Sequence, residues 1–475
     1  MKILTSVIFF SICFSGSWSY SRFTPDWTSL DNRTSPAWYD SDKFGIFAHW
    51  GVFSVIGHRS EWIWWYWKGD SPDKEVVQYM NEHYRNGTTY GDFARDFTAA
   101  EFDPNEFADI IKASGARYFV LTSKHHEGFT LWPSSTTFNW NSVDVGAHRD
   151  LVGDLAKSIR AQDIHFGLYF SQMAWFHPLY LADKKDKTAN YPTQISLPQM
   201  YEIVNKYQPE VLWSDGDWEQ PPEYWKSQEF LAWLFNDSPV KNKILVNDRF
   251  GAGTAGKHGS FFNHADGYLP GHLLRHKWEC CMVLDDHSWG YRRDLKSGDV
   301  KSTKQVLGIF VKVLAWGGNL LLNIGPNHLG RIPPIFEDRL REVGKFVNAY
   351  SEAIFETKPW IYQNDSFDVW YTSRLRSSFD FDDSRVFNPQ SEENTIVYAF
   401  ILNYDTTNQI DLPSIKTTEK TVITLLGTKE KVKIVSRKPT TIELPPWQSF
   451  PFREVVVLKI EYVADSNFKP KVYDL

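Results

Sequence analysis

The chain has 475 residues, enough for a large core and for more than one domain. Its 42% hydrophobic and 23% charged residues are ordinary for a folded protein and exclude wholesale disorder. A formal net charge of −7, without a block of Lys and Arg, argues against a nucleic-acid partner, which would need a basic face.

The N-terminus has the pattern of a signal peptide over residues 1–19. Lys2 gives the positive n-region, residues 3–14 the apolar h-region, and small residues between 15 and 19 a cleavage site. The apolar run is too short to span a bilayer, and no later stretch qualifies as a membrane helix. We therefore predict no membrane span and entry into the secretory pathway, with a secreted or lysosomal destination.

Two further features fit the secretory pathway. Asn-X-Ser/Thr triplets mark four candidate glycosylation sites, at Asn32, Asn86, Asn236 and Asn364. Once residues 1–19 are removed, the adjacent Cys280 and Cys281 are the remaining cysteines. They cannot form a disulfide framework, so we expect two buried thiols and a fold that is stabilised by its core.

Between residues 44 and 325 short apolar runs alternate with longer amphipathic stretches. Apolar residues at helical spacing predict helices at Pro104–Ala113 and Leu151–Ala161. Seven apolar runs predict strands, at Phe44–Ala48, Tyr118–Ser123, His165–Phe170, Val211–Trp213, Ile244–Asn247, Trp278–Leu284 and Asn319–Ile324. Alternating strands and helices over this length predict an α/β fold, and seven strands rather than eight favour an irregular (β/α)8 TIM-like barrel.

The pattern changes after about Lys358, where short β-rich runs are separated by turn-forming residues. We predict strands at Val369–Thr372, Thr395–Leu402, Thr421–Leu425, Lys431–Val435, Thr440–Leu444 and Val455–Tyr462. Regularly spaced short strands are typical of a β-sandwich. The expected organisation is thus a barrel domain over residues 20–357 and a C-terminal β-sandwich over residues 358–475.

Polar side chains gather where the predicted barrel strands end. The strand ends run into His49, His125-His126, Ser171, Asp215 and Asn247-Asp248-Arg249. Because such ends meet at one face of a barrel, these groups predict a shared polar pocket. The 21 Trp, 22 Tyr and 34 Phe residues, with a cluster from Trp62 to Trp67, suit a carbohydrate site, since flat aromatic faces pack against sugar rings.

Two chemistries compete for such a pocket. Carboxylates on both sides of a bound sugar, with His, Arg and Trp around them, suit cleavage of a glycosidic bond. Metal-dependent hydrolysis is the alternative, because His49, His125 and His126 are candidate ligands. Neighbouring residues of a strand point to opposite faces, so His125 and His126 reach one ion only across a bulge, and we expect no metal.

An ordered set of motifs resembles the α-L-fucosidases of glycoside hydrolase family 29, of the tissue type. The resemblance extends from about Trp38 to the C-terminus. Its motifs are Lys43–Phe47, His49–Gly51, Ser60–Trp62, Thr122–Phe129, Trp213–Gly216, Asn247–Arg249, Lys277–Cys281, Ser288–Tyr291 and Leu321–Pro326.

The resemblance implies an irregular barrel followed by a β-sandwich, and a retaining double displacement on fucosylated glycans without metal or cofactor. Asp215 matches the nucleophile of the family, which forms a fucosyl-enzyme intermediate. The fucose site would be lined by His49, Glu61, Trp62, His125, His126, Tyr169, Trp213 and Arg249. Family members often assemble, so a homo-oligomer is a further expectation.

The acid/base residue has two candidates. Asp266 lies on a glycine-rich stretch, where mobile catalytic groups are common, and Glu279 lies on an apolar strand, where a paired structural carboxylate is credible. We prefer Asp266 and retain Glu279. A retaining mechanism places the acid/base carboxyl group about 5–5.5 Å from that of Asp215.

Two other functions are alternatives to the fucosidase: a catalytically inactive fucose-binding lectin, and a retaining glycosidase for another sugar. The presence of Asp215 and of both acid/base candidates argues against the lectin.

Overall fold

The computed structural model describes residues 22–366, 368–376, 385–404 and 408–475. The predicted signal peptide, residues 1–19, lies outside the described residues. The strands are β1 (Phe44–Ala48), β2 (Tyr118–Lys124), β3 (His165–Ser171), β4 (Val211–Asp215), β5 (Leu245–Val246), β6 (Leu273–Leu274), β7 (Glu279–Val283), β8 (Asn319–Ile324), β9 (Lys358–Ser366), β10 (Val369–Leu375), β11 (Thr395–Ile401), β12 (Gln409–Asp411), β13 (Thr417–Leu425), β14 (Lys433–Arg437), β15 (Thr440–Glu443), β16 (Val456–Val463) and β17 (Val472–Tyr473).

The α-helices lie mainly between the strands of the first half of the chain. They are α1 (Trp27–Leu30), α2 (Trp38–Asp42), α3 (Phe53–Ile56), α4 (Ile63–Lys68), α5 (Lys74–His83), α6 (Pro104–Ala113), α7 (Leu151–Ala161), α8 (Pro178–Asp186), α9 (Leu197–Tyr207), α10 (Pro222–Trp225), α11 (Ser227–Asn236), α12 (Thr303–Ala315), α13 (Pro334–Ala349) and α14 (Ser351–Ile354). Among the described residues, no helix has both the length and the apolar character needed to cross a membrane.

Helix α6 shows why the sequence signals were sufficient for the predicted helices. The Asp103 side chain accepts hydrogen bonds from the backbone N–H groups of Asn105 and Glu106, which caps the helix start. Pro104 occupies the first turn, where its missing N–H costs nothing. Phe107 and Ile111 lie buried on one face. Both predicted helices have the expected bounds.

Seven parallel strands form the main sheet, in the order β5-β4-β3-β2-β1-β8-β7. All seven predicted runs are strands of this sheet, and the predicted irregular barrel is confirmed. The segment 260–262 bridges the two edge strands: Ser260 N–H donates to the Val246 carbonyl (2.8 Å), and Phe262 N–H donates to that of Lys277 (2.9 Å). Glu279 N–H returns a bond to the Phe262 carbonyl (2.9 Å). A short irregular segment therefore closes the barrel where a regular eighth strand would stand.

The C-terminal region packs a five-stranded antiparallel sheet, β13-β16-β11-β10-β9, against a three-stranded sheet, β12-β15-β14. Strand β11 is buried along its whole length. Val397, Ala399 and Ile401 lie in the core between the two sheets. Ile396, Tyr398 and Phe400 alternate with them and join the core of the barrel. The two parts of the fold therefore share a continuous apolar contact, and β9, which begins at Lys358, is a strand that the sequence pattern missed.

Candidate active site

A pocket of about 210 Å³ opens where the barrel strands end. It is lined by Phe47, His49, Glu61, Trp62, His125, His126, Tyr169, Trp213, Asp215, Trp218, Arg249, Asp266 and Trp289. Ser171, Asn247 and Asp248, which the strand ends also predicted for a shared pocket, are buried and do not line it. The fold brings together ten of the eleven residues expected to act in catalysis or sugar binding. Glu279 is the one that lies elsewhere.

Asp215 is the last residue of β4, two residues after Trp213. Since strand side chains alternate, both residues point to the same side, and Ser214 points away. Tyr169, on the neighbouring strand, donates its hydroxyl to Oδ2 of Asp215 over 2.7 Å. Nε2 of His126 lies 3.7 Å from the same oxygen. The carboxylate is therefore held at a rigid strand end with its donors already in place.

Arg249 follows β5 and links two of the three acidic groups of the pocket. Its Nη1 donates to Oδ1 of Asp215 (3.2 Å) and its Nη2 donates to Oδ1 of Asp266 (2.5 Å). The guanidinium also lies 4.7 Å from the centre of the Trp213 ring. Burial alone would lower the pKa of Arg249, but the charges of Asp215 and Asp266 raise it well above its usual value. A permanent cation thus lies between two carboxylates.

His49 and His126 are buried and neutral. Burial, with the nearby His125, lowers the pKa of both well below the usual value. Nδ1 of His49 lies 2.7 Å from Oδ1 of Asn323, whose amide nitrogen in turn donates to the Trp289 carbonyl. Nδ1 of His49 is therefore the donor, and Nε2 remains as an acceptor. Neutral imidazoles suit hydrogen bonds to sugar hydroxyls.

Glu61 lies just before α4 and has one oxygen fixed by the protein. Oε2 accepts hydrogen bonds from the hydroxyl of Ser288 (3.2 Å) and from the backbone N–H groups of Trp289 (2.9 Å) and Gly290 (3.0 Å). Oε1 accepts none from the described residues, so it is available to a ligand hydroxyl. Beside it, the rings of Trp62 and Trp218 lie nearly parallel, 12° apart with centres 5.9 Å apart.

Glu279 is fully buried beneath the pocket rather than in it. Its carboxylate accepts four hydrogen bonds, from Tyr39 (2.5 Å), Tyr118 (2.8 Å), Trp213 (3.0 Å) and Asn263 (3.0 Å). Burial raises its pKa, and these donors partly oppose the rise. Asp266, in contrast, has a side chain 50% exposed. The structure thus gives the two acid/base candidates opposite environments.

His125 and His126 both line the pocket, although strand alternation would separate them. Strand β2 ends at Lys124, so the two histidines follow the strand in a turn, where alternation no longer applies. Their ring centres are 4.1 Å apart. Within the described residues, no group of three or more His, Cys, Asp or Glu side chains has a metal-binding arrangement.

Three lining residues were not among the sequence candidates: Phe47, Trp218 and Trp289. Phe47 lies in the Lys43–Phe47 motif, but an apolar side chain within β1 indicates a core residue rather than a site residue. Trp218 follows the Asp215-Gly216-Asp217 run, and Trp289 lies in the Ser288–Tyr291 motif, so proximity to these motifs was the available signal.

The candidate glycosylation sites differ in exposure. Asn32, Asn86 and Asn364 are exposed. Asn236 is half-buried, and its side-chain amide both donates to and accepts from the backbone of Phe23. Cys280 and Cys281 are buried free thiols, as expected.

A TIM-like barrel with a pocket of acidic, imidazole and aromatic groups at its strand ends is the arrangement of a barrel glycoside hydrolase. Residues 13–352 match the family model for "Alpha-L-fucosidase", and residues 363–461 match that for "Alpha-L-fucosidase C-terminal domain". The chain therefore belongs to the α-L-fucosidase family, whose members are glycoside hydrolases.

Individual relatives agree over nearly the full length. The chain is 55% identical over 455 residues to a putative alpha-L-fucosidase of Caenorhabditis elegans, covering 93% of each chain. It is 46% identical over 416 residues to the tissue alpha-L-fucosidase of Homo sapiens, covering 87% of this chain and 85% of the relative. The solved structure of Thermotoga maritima alpha-fucosidase in complex with fucose matches with a TM-score of 0.72 and 30% identity, over 92% of this chain and 100% of that one.

Proposed function

We propose that the protein removes terminal α-L-fucose from glycans by a retaining double displacement. The observation that carries the proposal is the pairing of Asp215 and Asp266 on one guanidinium, that of Arg249, inside a pocket lined by aromatic rings and histidines. Retaining glycosidases need two carboxyl groups on either side of the scissile bond, one to attack and one to exchange a proton.

Asp215 is the nucleophile in this proposal. It attacks the anomeric carbon, and the bond from that carbon to the leaving oxygen breaks, which gives a fucosyl ester. Arg249 and Tyr169 each hold one of its oxygens, so the carboxylate is fixed in position before the sugar binds. The same contacts stabilise the carboxylate when it is released in the second step.

Asp266 is the acid/base. It gives a proton to the departing oxygen and then takes one from the water that cleaves the ester, so it needs access to water and a free acceptor position. Its half-exposed side chain satisfies both needs. Glu279 satisfies neither, because it is sealed from solvent and its four acceptor positions are occupied.

The remaining groups fit the sugar. Oε1 of Glu61 and Nε2 of His49 are acceptors for hydroxyl protons, and the rings of Trp62 and Trp218 offer flat apolar faces. A methyl group at C5 distinguishes fucose from galactose, and an aromatic wall accommodates a methyl group better than it does a hydroxymethyl group.

We also propose that residues 20–357 and 358–475 form the two domains and that the protein works in a secreted or lysosomal setting. The first antiparallel strand of the C-terminal region begins at Lys358, which supports this boundary. The relatives include tissue and plasma alpha-L-fucosidases, which supports the setting.

The decisive experiment is covalent trapping with 2-fluoro-fucosyl fluoride, followed by peptide mass mapping. The fluorine at C2 slows both steps by destabilising the cationic transition state, and the fluoride leaving group restores only the first step, so the ester accumulates. We expect a label on the peptide containing residues 213–218, localised to Asp215. A folded protein that binds fucose but takes no label would instead be a fucose-binding lectin.

A further inference from the structure

A second cavity, of about 340 Å³, lies beside the active-site pocket and takes no part in the proposed reaction. Its walls come largely from the segments that follow β2 and β3. The segment after β2 also supplies His125 and His126 to the active site. Among its lining residues are Lys124, Phe138, Trp140, Phe176, His177 and Gln199. It is larger than the 210 Å³ pocket of the active site, and its volume falls in the range of small-ligand sites.

An aromatic wall separates the two cavities. Trp62 lines the active-site pocket, and its ring centre lies 5.2 Å from that of Trp175. The backbone N–H of Trp175 donates to the His126 carbonyl (2.8 Å), which fixes this wall against the β2 end. The next residue, Phe176, lines the second cavity. A ligand there would not occupy the position of the fucose ring.

Three aromatic rings, those of Phe138, Trp140 and Phe176, form much of the apolar part of the cavity. Phe138 is 88% exposed at the tip of its loop, an unusual position for a large apolar side chain. Trp140 and Phe176 are half-buried, with ring centres 6.1 Å apart and planes 66° apart. Rings held at such angles present flat faces on more than one side of a small molecule.

The polar part of the cavity is buried and pre-oriented. Lys124 is 1% exposed, and its Nζ donates to the side-chain oxygen Oε1 of Gln199 (3.2 Å) and to the Tyr191 hydroxyl (3.3 Å). Burial lowers the pKa of Lys124 well below its usual value, and its Nζ also lies 4.2 Å from the centre of the Phe170 ring. His177 accepts a hydrogen bond at Nδ1 from the N–H of Leu179, so its ring carries the proton on Nε2. Nε2 of His177 thus keeps a donor available, and Lys124, Gln199 and Tyr191 form a fixed polar group beside it.

We propose that this cavity binds an uncharged sugar residue, a hexose or an N-acetylhexosamine of a glycan chain. Aromatic faces suit the C–H faces of a pyranose, and fixed donors and acceptors suit its hydroxyl groups. The carboxylate-bearing Glu127 also lines the cavity, which disfavours an acidic sugar beside Lys124. The proposal concerns binding alone and stands whichever bond the other pocket cleaves.

Saturation-transfer NMR on the intact protein tests the proposal. The probes are methyl β-D-galactoside and N-acetylglucosamine, each titrated in the presence of saturating L-fucose to fill the active site. We expect transfer to at least one probe to persist with fucose bound. Phe138→Ala should weaken that affinity at least about threefold, because a stacked ring is lost. Phe468→Ala removes a ring that is 48% exposed on the C-terminal region and should change nothing.

Lys124→Met should weaken binding as well, but Lys124 is buried and its replacement can disturb folding, so the exposed Phe138 provides the decisive variant. Turnover of nitrophenyl-fucoside by Phe138→Ala shows that the variant is folded. Three results would each overturn the proposal: no transfer to either probe, loss of transfer when fucose is added, or equal affinities in the wild type and Phe138→Ala.

Discussion

The indole N–H of Trp213 donates a hydrogen bond of 3.0 Å to Oε1 of Glu279, a carboxylate sealed beneath the pocket. The same indole ring lies under the guanidinium of Arg249, which in turn holds Asp215. Glu279 is therefore connected to Asp215 through Trp213 and Arg249 and does not itself line the pocket. Replacing Glu279 would disturb Asp215, the proposed nucleophile, indirectly, so a loss of activity does not by itself identify the acid/base residue.

Azide separates the roles of Asp266 and Glu279. In Asp266→Ala, azide should enter the space left by the carboxylate and attack the fucosyl ester, so that activity on a substrate with a good leaving group is restored. Attack on the face opposite Asp215 gives α-L-fucosyl azide, with retained configuration. Product NMR and the rate of nitrophenol release measure both effects.

Glu279→Gln is the matched comparison, because glutamine keeps the shape but can no longer accept from all four donors. We expect lower turnover, no rescue by azide, and the same proportional loss for good and poor leaving groups. Rescue of Glu279→Gln together with an unresponsive Asp266→Ala would reverse the assignment.

Asp215→Gly should abolish hydrolysis and, with azide, give β-L-fucosyl azide from a substrate with a good leaving group. The glycine leaves room on the face where Asp215 attacked, so azide enters there and a single displacement inverts the configuration. Substantial hydrolysis by Asp215→Gly without azide would remove this residue from the nucleophile role.

Tyr169→Phe should lower kcat/KM about ten- to a hundredfold. The hydroxyl donates to a charged oxygen of Asp215, and hydrogen bonds to charged groups contribute about 1.5–3 kcal/mol. The ring itself is retained, so packing against Phe47 and Trp213 is kept. Steady-state kinetics with nitrophenyl-fucoside measure the loss, and unchanged activity would show that the Tyr169 hydroxyl is not needed to hold Asp215.

Much of this site could be predicted from the sequence, because an apolar run followed by polar residues indicates the end of a strand. Asp215, His49 and Arg249 all follow this pattern. The choice between Asp266 and Glu279 could not be settled in this way. It depends on burial and on four donors from distant parts of the chain, which no local pattern encodes.

The fold, too, could be predicted where local apolar runs mark the strands and could not where contacts between distant residues define the structure. The seven strands of the main sheet have strong apolar runs and were predicted. The segment 260–262 is too short to give such a run, and it closes the barrel through backbone hydrogen bonds to both edge strands. Strand β9 was missed because it begins Lys-Pro and ends Asn-Asp-Ser, residues that favour turns. Its identity as a strand comes from pairing with β10, a tertiary effect.

Asp217 should make stability depend on pH. Burial, with a smaller contribution from the charge of Asp215, raises the pKa of Asp217 to about 6. The pKa of an aspartate side chain in an unfolded chain is about 4. The folded chain therefore binds more protons between these values, and this group's contribution to stability falls as the pH rises from about 4 to 6. Asp217→Asn cannot ionise and keeps an acceptor for the Gly251 N–H.

We expect the free energy of unfolding of Asp217→Asn, relative to the wild type, to rise by up to about 3 kcal/mol between pH 4 and pH 7. Urea denaturation at both pH values measures the difference. Asp338→Asn, an exposed position next to Arg339, is the control and should change by less than about 0.5 kcal/mol. A difference that falls or stays constant for Asp217→Asn would contradict the prediction.

Two helix glycines offer a matched test of the packing around the barrel. A Cβ on Gly344, in α13, would lie 1.8 Å from the backbone oxygen of Ala113 at the end of α6, so the helices would have to separate. A Cβ on Gly308, in α12, would meet no atom within 4 Å. We expect Gly344→Ala to destabilise the fold by about 3 kcal/mol, and Gly308→Ala to stabilise it by about 0.5–1 kcal/mol through helix propensity. The thermal unfolding midpoints of the two variants should therefore shift in opposite directions. A lower midpoint for both variants would mean that the surface of α12 at Gly308 is covered in solution.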